Sequence, residues 1–173
     1  MSHVWAVVAV VWMSAGWPID PAQAGGKASI GDSGEFVELS HEGDGRTVVD
    51  RLPLYRSGGA RYFSAGVGLE ERTAEYPPFS LKVVFTAGGK PFLSGVAVTI
   101  QPTKGGTALS ISREQVNGPW LFVDLPTGTY DVTAIYGDTR QTLKGVKLEA
   151  GKQRIVYLRW SEDRGIPVGL PME

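Results

Sequence analysis

The stretch from Leu125 to Tyr136, LPTGTYDVTAIY, constrains the fold most strongly because a turn sequence runs directly into an alternating strand. Pro126 and Gly128 supply the turn chemistry. From Thr129 onward, larger apolar side chains alternate with smaller polar ones, at the two-residue period of a half-buried strand. The stretch therefore predicts an antiparallel strand with one side in a core. The positions on that side are Tyr130, Val132, Ala134 and Tyr136.

Similar segments recur from Phe79 to Trp160 at intervals of roughly ten residues, which is typical of a β-sandwich. Trp120–Leu125 carries apolar residues on both faces, so we expect this strand to lie centrally, between the core and the N-terminal part of the chain. We predict an all-β fold, a seven-stranded antiparallel β-sandwich with Greek-key connections, over residues 79–160. The expected core is Leu81, Val83, Phe85, Val96, Val98, Ile100, Tyr130, Val132 and Ala134.

Residues 25–78 lack this regular spacing, and we predict an irregular N-terminal extension there. Two short strands are expected at Phe36–Leu39 and Thr47–Leu54, because a Gly-Asp-Gly sequence between them supplies hairpin chemistry. Residues 161–173 are rich in glycine and proline and are predicted to form a tail.

The end of the extension has two further features. Ser57–Gly68 embeds Tyr62 and Phe63 among small residues, which favours a packed segment laid over a sheet. Leu69–Glu75 predicts about two turns of helix, and the two prolines that follow would stop it. The extension is thus expected to hold one short helical segment.

The first 24 residues predict an export signal. An apolar run from Val4 to Met13 precedes small residues and an A-x-A cleavage pattern at Ala22–Ala24. The run is shorter than the roughly 20 residues that span a bilayer. We therefore expect a periplasmic or secreted protein, attached to a membrane only through this segment if it stays uncleaved.

The inventory of reactive side chains argues against catalysis. The chain has no cysteine and two histidines, of which only His41 follows the export signal. Thiolate chemistry, multi-histidine zinc sites and a Ser-His-Asp triad with a spare base are therefore not expected. Removal of the signal takes Asp20 from the 18 acidic residues and leaves 17 of each sign. A neutral chain without a basic patch does not predict nucleic-acid binding. We predict no enzyme activity, cofactor or metal.

The run from Phe85 to Gly137 resembles the carboxypeptidase regulatory-like domain, a transthyretin-like or prealbumin-like sandwich. The matching residues are VVFTAGGKPFLSGVAVTI at Val83–Ile100, then Gly118, and LPTGTYDVTA at Leu125–Ala134. The sequence departs from the pattern at SREQVNGPW, where many such domains carry an acidic residue before the glycine. The resemblance implies an accessory module that acts as a spacer, folding partner or docking surface.

A longer pattern is similar to a group of small exported bacterial proteins that carry only this domain. The pattern comprises YFSAGVGLEE, GPWLFVDLPTGTY and a closing RIVYLRW. Within it, the corner formed by Leu125, Pro126, Gly128 and Tyr130 is expected to be structural. Tyr130 can bury its ring while its hydroxyl reaches upstream backbone, as in a tyrosine corner.

The favoured function is a non-catalytic, exported β-sandwich module that binds another envelope protein or serves as a structural accessory. The alternative is a carbohydrate-binding module that uses exposed aromatic residues to hold a glycan; a hydrolase is less favoured. Strand addition at an exposed sheet edge is a third binding mode. The candidate binding residues are Tyr62, Phe63, Glu70, Glu71, Trp120 and Trp160.

Overall fold

A computed structural model describes residues 25–88 and 93–161, and the predicted export signal and nearly all of the predicted tail lie outside them. The described chain is mostly β-structure, so the all-β prediction is confirmed. Its helical elements are a five-residue helix, α1 (Leu69–Thr73), and a 3₁₀ turn at Arg113–Gln115. The strands are β1 (Lys27–Ile30), β2 (Phe36–Gly43), β3 (Arg46–Pro53), β4 (Tyr55–Ser57), β5 (Ala60–Ala65), β6 (Leu81–Ala87), β7 (Ala97–Pro102), β8 (Leu109–Ile111), β9 (Trp120–Asp124), β10 (Gly128–Tyr136), β11 (Thr139–Leu148) and β12 (Arg154–Trp160).

The strands form three sheets, with the orders β1-β2-β3, β11-β10-β7-β8 and β12-β6-β9-β5-β4. One face of the five-stranded sheet packs against the four-stranded sheet, and the side chains between them form the sandwich core. All nine residues predicted for the core are buried there. Their alternation identified them because every second side chain of a strand points to the same face.

The opposite face of the five-stranded sheet is covered in part by the three-stranded sheet. Side chains of β1, β2, β5 and β9 form a second core there, in which the rings of Phe63 and Phe122 stack with centroids 4.7 Å apart. Leu121 and Val123 of the same strand, β9, point into the sandwich core. The predicted central position of β9, with apolar packing on both faces, is confirmed.

The N-terminal extension differs from the irregular segment that we predicted. The predicted hairpin is present as β2 and β3, with Asp44 and Gly45 at its turn. Ser57–Gly68 does not lie over the sheet, because Ala60–Ala65 is a strand within it, paired antiparallel with β9. Both faces of this strand are buried, so its sequence lacks the apolar and polar alternation that marks a half-exposed strand.

The last strand corrects the prediction of a purely antiparallel sandwich. β12 runs parallel to β6, with Val156 beside Val83 and Leu158 beside Phe85. A parallel pair requires a long crossover between its strands. Here the chain passes through β7 and β8 of the four-stranded sheet, returns to the five-stranded sheet as β9, and crosses again through β10 and β11 before it reaches the edge beside β6.

The turn before β10 is the expected structural corner. The hydroxyl of Tyr130 donates a hydrogen bond of 2.8 Å to the carbonyl oxygen of Pro126. A Cβ placed on Gly128 would lie 3.2 Å from Cε2 of that tyrosine, so a side chain there would displace the ring. Leu125 packs against the sandwich core as a partly buried residue.

Helix α1 is shorter than the predicted Leu69–Glu75, since the backbone is already extended at Ala74. Within residues 25–88 and 93–161, no helix has the length and apolar character needed to cross a membrane.

Candidate functional site

Three of the predicted binding aromatics lie inside the protein. Tyr62 is 3% exposed and Trp160 is 5% exposed, and both belong to the sandwich core, while Phe63 is fully buried in the second core. Tyr62 donates a hydrogen bond to Oε1 of Gln115, and Trp160 donates one to the carbonyl oxygen of Thr139. None of the three rings offers a face to a ligand, so their burial does not support the predicted binding role.

The predicted acidic pair is divided between two roles. Oε2 of Glu71 accepts hydrogen bonds from the backbone N–H groups of Gly66 and Val67, at 2.7 and 3.1 Å. The carboxylate of Glu71 therefore holds the loop that precedes α1. Burial, followed by the nearby charge of Glu71, raises the pKa of Tyr76. Glu70 is exposed to solvent.

Trp120 is the remaining predicted aromatic, and it lies partly exposed on the outer face of the five-stranded sheet. The ammonium of Lys82 sits 3.5 Å from the centroid of this ring and 5.0 Å from that of Phe122. Burial lowers the pKa of Lys82. The backbone of Gly66 also approaches the ring, because a Cβ there would lie 3.0 Å from Cδ2 of Trp120. The indole is thus packed by its own chain.

The exposed apolar side chains of this sheet lie farther along it, on β12. Tyr157 is 61% exposed and Ile155 is 45% exposed, whereas the alternate residues of β12 point into the sandwich core. The parallel register places Ile155 beside Lys82, Tyr157 beside Val84 and Arg159 beside Thr86. We call this surface the β6–β12 face: Lys82, Ile155, Tyr157 and Arg159, with the buried side chains of Val84 and Thr86 between them on β6.

The charges of the β6–β12 face have one sign. Among the residues that the structure describes, neither Lys82 nor Arg159 forms an ion pair, although ion pairs occur elsewhere, such as Arg61 with Asp124. The two cations are four residues apart along the paired strands, or about 13 Å at the usual strand rise. The exposed ring of Tyr157 lies between them. This arrangement suits an apolar group that is accompanied by a carboxylate.

Two proteins of Mycobacterium tuberculosis are similar to this chain over most of its length. Uncharacterized protein MT1597 of strain CDC 1551 / Oshkosh and uncharacterized protein Rv1546 of strain H37Rv are each 32% identical over 141 residues. The match covers 79% of this chain and 95% of each relative. The chain belongs to this mycobacterial family. No family model matches it, and no solved structure matches it.

His41 of this family member lies on strand β2. Its Nε2 is 2.9 Å from Oδ2 of Asp50 on β3, and its Nδ1 is buried without a hydrogen-bond partner. In residues 25–88 and 93–161, no group of three or more His, Asp or Glu side chains could hold a metal ion.

The sequence of β12 showed that its side chains alternate between two faces, but it did not show which face is exposed. The alternation of RIVYLRW places Ile155 and Tyr157 opposite Val156, Leu158 and Trp160. Either set could have been the buried one, since both contain an aromatic and an aliphatic residue. Only the packing of the four-stranded sheet against Val156 and Leu158 identifies Tyr157 as exposed.

Proposed function

We propose that the protein is a non-catalytic, exported sandwich module that binds another protein of the cell envelope through the β6–β12 face. The observation that carries this proposal is the 61% exposure of Tyr157, beside Ile155 and between two cations that form no ion pair within the described chain. Tyrosine and arginine are enriched at the energetic centres of protein interfaces. Burial of one such ring against a partner removes a large apolar surface from water.

The module itself is proposed to be the Greek-key, prealbumin-like unit formed by the seven strands β6–β12. The resemblance of Val83–Ile100 and Leu125–Ala134 to the carboxypeptidase regulatory-like domain supports this assignment, as does the tyrosine corner at Tyr130. Such domains serve as accessory modules, and that role is transferred here by analogy of fold. The predicted export signal at residues 1–24 would deliver the module to the envelope.

Glycan binding is the second candidate, because the register places Tyr157, Val84 and Trp120 in one row across the outer face. A sugar ring stacks on an uncovered aromatic face. The ammonium of Lys82 is centred 3.5 Å from the Trp120 ring, which leaves less of that ring for a sugar. This contact favours a protein partner over a glycan.

Site-specific photo-cross-linking in intact cells tests the proposal. A photoreactive amino acid at Ile155, at the border of the face, should give one discrete adduct, and adding Tyr157→Ser should reduce its yield at least fivefold. The same amino acid at Arg140, which is exposed on β11 of the other sheet, should not give that adduct.

Three results would argue against protein binding by this face. These are no adduct at Ile155, an equal adduct at Arg140, or a yield that is insensitive to Tyr157→Ser. An adduct that consists of carbohydrate would favour the glycan alternative. Because Tyr157 is mostly exposed, Tyr157→Ser should leave the melting temperature nearly unchanged, which separates a binding effect from a folding effect.

A further inference from the structure

Strand β3 is the outer strand of the three-stranded sheet, and β2 is its only paired strand among the residues that the structure describes. Seven of its eight residues are exposed, and the other, Leu52, is partly buried. Val49 is 49% exposed. Sheet edges of this length are normally covered, paired or protected, because unpaired backbone groups attract another strand.

The hydrogen-bond pattern shows which backbone groups are free. The N–H of Leu54 donates to the carbonyl oxygen of Glu35, directly beyond the register that pairs Val37 with Leu52. In an antiparallel ladder, every second residue bonds to the neighbouring strand. The bonded positions of β3 are therefore the even-numbered ones, and the N–H and C=O groups of Thr47, Val49 and Arg51 point away from β2.

The side chains along this edge include both acidic and basic groups. Arg51 donates a hydrogen bond from Nε to Oε1 of Glu38, and Thr47 donates one to Oε1 of Glu42. Both contacts, and the side chain of Val49 between them, lie on one face of the hairpin. Along this face of β3, Thr47 beside Glu42 is followed by Val49 and then by Arg51 beside Glu38.

We propose that β3 pairs antiparallel with β3 of a second copy, about a two-fold axis at Val49. The free groups at Val49 then bond to their own counterparts, and those of Thr47 bond to Arg51 of the other copy. This gives six backbone hydrogen bonds and joins two three-stranded sheets into one sheet of six strands. Two-fold symmetry is the commonest form of association between identical chains.

The side chains favour a second copy of this chain over an unrelated strand. Val49 meets Val49 of the second copy and covers its exposed surface. Arg51 lies opposite Thr47 of the second copy, and that Thr47 lies beside Glu42 of its own chain. The guanidinium is therefore placed between Glu38 of its own chain and Glu42 of the second copy. On the other face, Asp50 lies opposite Val48 of the second copy, and its bond to His41 is not used by the pairing.

The proposal is independent of the function assigned to the β6–β12 face, and it is tested by mass. Analytical ultracentrifugation of the full chain, 18.6 kDa as a monomer, should show a concentration-dependent species of twice that mass. Val49→Pro removes an outward N–H but none of the bonds between β2 and β3, so it should abolish the dimer. If that variant does not fold, Val49→Lys serves instead, because it places two like charges at the axis. Val67→Lys, on a loop, is the matched control.

Cysteine substitution gives a second readout, because the natural chain has no cysteine. Directly bonded residues of an antiparallel pair have Cα atoms about 5.5 Å apart, within the range that a disulfide spans. Under mild oxidation, Val49→Cys should form a covalent dimer at least tenfold faster than Val67→Cys, although Val67 is more exposed, at 62%. A monomer at every concentration, a dimer that survives both Val49→Pro and Val49→Lys, or equal cross-linking rates would each overturn the proposal.

Discussion

The two faces of the five-stranded sheet differ in how completely they are covered. The inner face packs against the four-stranded sheet along its length and contributes to one continuous core. The outer face is divided: its β5 and β9 part lies under the three-stranded sheet, while its β12 edge exposes Ile155 and Tyr157. Strands of similar composition thus serve as core on one side and as surface on the other. Coverage by another part of the chain determines the difference.

The largest expected effect tests whether the two cores unfold together. Phe122→Ala should lower the free energy of unfolding by about 3–5 kcal/mol, as large aromatic truncations do in a packed core. The ring of Phe122 is stacked on Phe63 and lies 4.9 Å from that of Tyr76, centroid to centroid. Urea denaturation followed by circular dichroism measures the loss, with Phe85→Ala as the matched change in the sandwich core.

Because β9 contributes to both cores, both variants should shift one cooperative transition. Hydrogen exchange measured by mass spectrometry should then show faster exchange in β10 for Phe122→Ala, although β10 does not touch the second core. If β5 lost its protection while β10 kept it, the two cores would unfold separately and would not form one cooperative unit.

A smaller effect is expected at the corner on the inner side of the sandwich. Tyr130→Phe removes the hydroxyl that donates to Pro126 and keeps the buried ring, so the free energy of unfolding should fall by about 0.5–1.5 kcal/mol. Tyr136→Phe is the control, since that ring packs on Trp160 at 6.1 Å between centroids and its hydroxyl has no hydrogen bond within the described chain. Equal urea midpoints for the two variants would show that the corner bond contributes nothing.

The smallest effect concerns the outer face. Burial lowers the pKa of Lys82 below its usual value of 10.5, so between the folded and unfolded pKa values the unfolded chain binds more protons. Stability therefore rises with pH across that window and is reduced by the lysine charge below it. Relative to Lys82→Met, the wild type should gain stability between pH 7 and about 10.5, by less than about 1 kcal/mol because the side chain is partly solvated.

Urea denaturation of the wild type and of Lys82→Met at both pH values measures this difference in the free energy of unfolding. The tyrosines contribute equally to both proteins, so their effect cancels. The opposite sign would mean that the contact of the ammonium with Trp120, 3.5 Å from the ring centroid, stabilises the charged form more than burial opposes it.

The inner core was predictable because its signal is local. Eight of the nine predicted core residues follow a two-residue period within their own strands, and Val96 continues that period one residue before β7. Strand β5 escaped the same reasoning because Tyr62 and Phe63 are both buried, on opposite faces, so no polar residues alternate with them. The parallel pairing of β12 with β6 was missed for a different reason: strand order is a property of contacts far apart in the chain.

The candidate site was only partly accessible from the sequence. Trp120 does lie on the outer face, but Tyr62, Phe63 and Trp160 are buried and Glu71 binds backbone N–H groups. Tyr157, the aromatic residue of the β6–β12 face, appeared in the sequence as one more residue of an alternating strand. Exposure of a ring depends on whether another element packs on it, and the sequence of the strand that carries the ring does not show this.

By itself, the sequence determined the all-β class, the corner at Pro126 and Tyr130, and which side chains of each strand point in the same direction. These properties follow from backbone geometry over a few residues. The tertiary structure alone decided that β5 joins the five-stranded sheet, that β12 runs parallel to β6, and that Tyr157 faces solvent while Leu158 is buried. Burial is a property of pairs of surfaces, and the second surface of each pair comes from a distant part of the chain.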